Sequence, residues 1–126
     1  KLFIRGDFRN ADPQGTNIQI TGGVVFNSGE IFGDTNDDVI NAGTAATPLT
    51  ILVYAGNDDV AGGTEADMIY GGPGTDVLAG NDGNDLIVAG GGVGNRILGG
   101  PGNDRIFGSD EGAETDPDFN DQVWFG

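Results

Sequence analysis

A chain of 126 residues with 20 acidic and 5 basic side chains, a net charge of −15 and neither histidine nor cysteine is one domain or a piece of a larger one. Its sign of charge excludes a phosphate-gripping face for nucleic acid and attachment to anionic membranes. With Ser28 and Ser109 its only serines, the chain cannot build Ser–His or Cys–His nucleophile pairs, disulfides, or His- or thiolate-ligated metal sites, so an enzyme is not expected.

Residues 1–23 show no repeat. Leu2 and Ile4 alternate as in a strand, 10–15 form a turn cluster around Pro13 and Gly15, and Asn17 to Thr21 alternates again with Ile18 and Ile20 on one face. Stacked repeats need a capped end, and this segment is expected to supply it. Arg5-Gly6-Asp7 spells the tripeptide that integrins read, a match too short to carry a function.

From Val24 a nine-residue phase can be followed with decay through 24–61. VVFNSGEIF (24–32) has Gly29 in the sixth place, GDTNDDVIN (33–41) has Asp38 there, TAATPLTIL (44–52) has Leu49, and VYAGNDDVA (53–61) has Asp58; Ala42 and Gly43 stand outside the units. Between 62 and 107 the phase is plain: GGTEADMIY, GGPGTDVLA, GNDGNDLIV, one extra residue at Ala89, then GGGVGNRIL and GGPGNDRIF. The last stretch, 108–126, opens with an acidic insertion (109–118) that reads as a surface loop. The motif then restarts with Asp121 and Val123, and the parent chain is expected to continue. The four stretches form one continuous domain.

The units share the pattern G-G-x-G-x-D-x-U-x, with U aliphatic. Glycines allow positive φ and a tight six-residue turn; the last three residues are a short strand whose middle side chain points inward. The inward row is Ile31, Ile40, Ile51, Val60, Ile69, Leu78, Ile87, Ile97, Ile106 and Val123. Two units close one coil, so sixth-place residues stack in two rows. One holds Asp38, Asp58, Asp76, Asn95 and Asp121; the other holds Leu49, Asp67, Asp85 and Asp104.

Stacked strands lie about 4.8 Å apart, which suits a span of two Ca²⁺–oxygen bonds of about 2.3–2.6 Å better than the shorter, octahedral bonds of Mg²⁺. Two bare carboxylates at that spacing repel by roughly 3–4 kcal/mol at an effective dielectric near 20. Several Ca²⁺ ions are therefore expected, with folding dependent on them. Asn95 keeps an oxygen without the charge and is expected to weaken its sites; Leu49 removes one.

The repeat resembles the RTX (repeats-in-toxin) haemolysin-type calcium-binding nonapeptide family. That resemblance implies an all-β fold, a right-handed parallel β-roll, here of about five to six coils. It also implies that turn carbonyls complete the calcium shell, at Gly63, Gly72, Gly74, Asn81, Gly83, Gly100 and Gly102, with Glu65 and Val93 replacing the third glycine of their units. It further implies export as an unfolded chain and a secreted or cell-surface location. The function expected is a calcium-binding structural module, or the secretion and folding module of an enzyme or toxin whose active domain lies elsewhere. A carbohydrate-active enzyme on a β-solenoid would need acids outside the turns, and Glu30, Glu65, Glu111 and Glu114 show no pairing. On one outward face Phe32, Leu52, Tyr70, Val88 and Phe107 form an apolar column, expected to meet another copy or a neighbouring domain.

Overall fold

The computed structural model describes residues 2–5, 15, 17–19, 28–108 and 122–125. Every regular element among them is a strand: β1 (Leu2–Arg5), β2 (Asn17–Gln19), β3 (Gly29–Phe32), β4 (Val39–Asn41), β5 (Leu49–Leu52), β6 (Asp59–Ala61), β7 (Met68–Tyr70), β8 (Val77–Ala79), β9 (Leu86–Val88), β10 (Arg96–Leu98), β11 (Arg105–Gly108) and β12 (Gln122–Phe125). From β1 to β11 the odd and even strands separate into two parallel sheets, and β12 joins the odd one. One runs β1-β3-β5-β7-β9-β11-β12 and the other β2-β4-β6-β8-β10. The chain is thus a parallel β-solenoid, as the repeat predicts. From β3 to β10 it completes about four coils, slightly fewer than expected, because β11 and β12 are consecutive in the chain yet neighbours in the same sheet.

Register follows from the aliphatic residue at the centre of each strand. Ile31 faces Ile51, which faces Ile69, then Ile87 and Ile106; in the other sheet Ile40 faces Val60, then Leu78 and Ile97. These nine side chains are buried and form the core between the sheets. A slip by one residue would turn them all to solvent. β1 and β2 extend this ladder, with Ile4 opposite Ile31 and Ile18 opposite Ile40.

The extra residues sit elsewhere than expected. Gly62 N–H donates to Ala79 O and Gly71 N–H to Val88 O; Ala42 N–H makes the same bond to Ala61 O, and Ala89 N–H to Phe107 O, all at 2.8–2.9 Å. Ala42 and Ala89 therefore open their units, and the surplus residues lie within the turns that follow. The ladder fixes strand length and leaves the turns to absorb insertions. With Val53, these unit-opening side chains are fully buried and enlarge the core beyond the predicted row.

Candidate metal centre

The sixth-place residue of each turn is buried in both rows: Asp38, Asp58, Asp76 and Asn95 in one, Leu49, Asp67, Asp85 and Asp104 in the other. From the second member of each row onward, the side chain is tied to the preceding coil by a backbone donor. Asp38 N–H donates to Asp58 Oδ1 (2.8 Å), Asp58 N–H to Asp76 Oδ1 (3.0 Å) and Asp76 N–H to Asn95 Oδ1 (2.8 Å). In the second row Leu49 N–H donates to Asp67 Oδ1 (2.8 Å), Asp67 N–H to Asp85 Oδ1 (2.8 Å) and Asp85 N–H to Asp104 Oδ1 (2.7 Å). One oxygen of each acid is thereby committed to the fold. At Asp58 and Asp76 the other, Oδ2, is buried with no hydrogen-bond partner.

A buried carboxylate oxygen without a donor calls for a cation or a proton. Burial is the main cause that lifts the Asp58 carboxyl from 3.8 to about 7; the Asp38 N–H pulls it back, and the charges of Asp76, Asp38 and Asp37 push it further up. Burial likewise lifts Asp67 to about 6 against the donors Gly63 N–H and Leu49 N–H, with the Glu65 charge adding to the rise. Asp76 is raised, again chiefly by burial.

Around the acids the turns supply main-chain oxygen. A Cβ on Gly72 would strike the carbonyl oxygen of Tyr54, one on Gly74 that of Gly56, and one on Gly90 or Gly92 that of Gly72 or Gly74. In the other row Gly100 and Gly102 lie against the carbonyls of Asn81 and Gly83, Gly63 against that of Ala45, and Gly83 against that of Glu65. Among the described residues no three carboxylates converge on one point, so any shell here needs these carbonyls. Oxygen alone is offered, which is the donor set of a hard cation such as Ca²⁺.

Gly72, Gly74, Asn81 and Gly83 thus present carbonyls to the next coil. Gly63, Gly100 and Gly102 are seen as the close-packed receiving positions. Gly56 offers an equivalent carbonyl, and so do Tyr54, Ala45 and Glu65, which a search for glycine passes over, since every residue type carries that oxygen. Tyr54 and Asn81 even adopt the left-handed conformation, at φ 67° and 72°. The third glycine that Val93 seemed to replace is present as Gly92, stacked on Gly74. Asp121 lies outside the described residues. The register of Gln122 with Arg105 joins β12 to the sheet of β11. Also missed was a ladder on the turn surface, where Asn57 N–H donates to Asp37 Oδ1 and Thr75 N–H to Asn57 Oδ1, with Asn103 N–H donating to Asn84 Oδ1 on the other side.

The family model of the RTX calcium-binding nonapeptide repeat matches residues 53–87 and 89–110, in four copies. No curated protein and no solved structure matches the chain. Repeats of this kind bind calcium and serve as structural modules, without catalysis of their own. Across residues 53–110 the solenoid is therefore built of repeats that match the RTX calcium-binding nonapeptide family.

Proposed function

We propose that the chain is a calcium-dependent folding module of a secreted or cell-surface protein. Ca²⁺ would be held by Asp38, Asp58, Asp76, Asp67, Asp85 and Asp104 with the turn carbonyls of neighbouring coils, and its charge would offset the stacked carboxylates. The observation that carries this reading is the pair of buried, unpartnered oxygens, Asp58 Oδ2 and Asp76 Oδ2. In water such groups would be solvated, so a metal-free coil is penalised and ion binding becomes folding free energy. Circular dichroism of the metal-stripped chain tests it. Millimolar Ca²⁺ should convert a disordered spectrum to a β spectrum while equal Mg²⁺ does not; a chain fully folded without metal at neutral pH refutes it.

The apolar column supports a second role, assembly with another copy. Register aligns Phe32, Leu52, Tyr70, Val88 and Phe107, each half-buried, and beside them Glu30, Thr50, Met68, Leu86 and Arg105. The first column reads alike from either end, aromatic, aliphatic, Tyr70, aliphatic, aromatic, and the second carries an acid at one end and a base at the other. Two copies related by a two-fold axis through Met68 and Tyr70 would set Phe32 against Phe107 and Glu30 against Arg105, an isologous contact.

A further inference from the structure

Asn95 occupies the carboxylate row at 1% exposure, and its chemistry there differs from that of its neighbours. Its Oδ1 accepts from Asp76 N–H at 2.8 Å, the bond by which Asp58 and Asp76 are each held to the coil before them. What remains is Nδ2, buried and without a hydrogen-bond partner, in the place where Asp58 and Asp76 carry Oδ2. The amide cannot turn over, because exchanging its ends would aim two N–H groups at the N–H of Asp76, donor against donor. A cation arriving at this turn would meet two protons in place of a lone pair.

The turn itself departs from the others. Gly90 and Gly92 stack on Gly72 and Gly74, so Val93 and Gly94 both lie between the fourth and sixth places, where Thr75 alone stands in the coil before. Gly94 adds another left-handed residue (φ 76°), and Val93 O accepts a hydrogen bond from Thr75 Oγ1 at 2.8 Å. This turn carries a lengthened backbone as well as the wrong side-chain atom.

We infer that Asn95 is a closing residue of the calcium row: it holds the coil to Asp76 as a neutral strut, and no ion is seated against its side chain. The inference rests on the calcium reading above and corrects the place of Asn95 as a weak ligand. Its consequence is specific. The Asp76–Asn95 step stacks one charge on an amide, without the carboxylate pair that elsewhere demands an ion, and restoring the carboxylate should open a site.

The test is the number of Ca²⁺ ions bound by the saturated 126-residue chain, counted by equilibrium dialysis with elemental analysis, for wild type and Asn95→Asp. This change is isosteric and keeps Oδ1 for the Asp76 N–H. One additional ion in the folded variant is the expected result. An unchanged count in a folded Asn95→Asp chain overturns the inference, and so does a variant that stays unfolded in saturating Ca²⁺, since the new acid would then have met no ion. A wild-type chain that binds no Ca²⁺ overturns the calcium reading itself, which separates the two failures.

Discussion

Asp67 N–H donates to Oδ1 of Asp85, eighteen residues on, at 2.8 Å, and Asp85 N–H donates to Asp104 Oδ1 at 2.7 Å. Asp85 is flanked by an acid on both sides of its row, whereas Asp67 has Leu49 on one side. Loss of a charged contact costs about 1.5–3 kcal/mol. Asp85→Asn should therefore raise the Ca²⁺ midpoint of folding roughly ten-fold, and by more than Asp67→Asn does. A larger shift at Asp67, read from titrations followed by circular dichroism, would break the row assignment.

Protons should replace part of the Ca²⁺ requirement. Asp58 and Asp67 have folded-state values of about 7 and 6 against 3.8, so the metal-free fold binds protons more tightly than the unfolded chain does. That contribution to stability is fully present below 3.8 and is lost as pH rises through about 6 to 7. The metal-stripped chain should gain β structure between pH 7.5 and 5, and the Ca²⁺ midpoint of folding should fall over the same interval, because protons then neutralise part of the charge that the ion would. A metal-free spectrum that is flat across this range would show that these carboxyls do not govern folding.

Tyr54 stands at φ 67° where other turns place Gly72, Gly90 and Gly100 at 90–103°. A left-handed residue with a Cβ costs about 1–2 kcal/mol. Tyr54→Gly should lower the Ca²⁺ midpoint, with a gain of about 1 kcal/mol. Gly74→Ala should do the reverse: it meets the same backbone penalty at φ 155° and drives its methyl into the Gly56 carbonyl. Equilibrium folding titrations of both variants provide the check.

The assembly reading predicts a charge-swap signature. Tyr70→Ser with Val88→Ser should leave Ca²⁺-induced folding intact and lower the mass seen by light scattering at high concentration. Glu30→Arg should weaken association by itself, and adding Arg105→Glu should restore it, since the two ends would exchange signs. A calcium-loaded wild-type chain that is monomeric throughout disposes of the self-association.

The strands and the two rows were legible because the aliphatic and Asp places repeat in side chains, which a sequence displays. What escaped is carried by the backbone. The unit-opening positions of Ala42 and Ala89 appear only in their hydrogen bonds, and the carbonyls of Tyr54 and Glu65 are indifferent to residue type. Strands β1 and β2 lack the nine-residue phase, yet each continues a sheet, with Ile4 in register with Ile31 and Ile18 with Ile40. For Asn95 the letter alone suggested an oxygen ligand; which of its two ends the fold consumes depends on the Asp76 N–H.

Because consecutive units alternate between the sheets, the solenoid has a parity. Gaining or losing two units changes its length and nothing else. Gaining or losing one would transfer every later strand to the opposite wall, cutting the Phe32–Phe107 column and splicing the two acid rows into each other. The chain's own irregularity respects this rule. Between β11 and β12 it advances about one coil and returns to the same sheet, Phe107 opposite Trp124, so that length is free to drift here only in even steps.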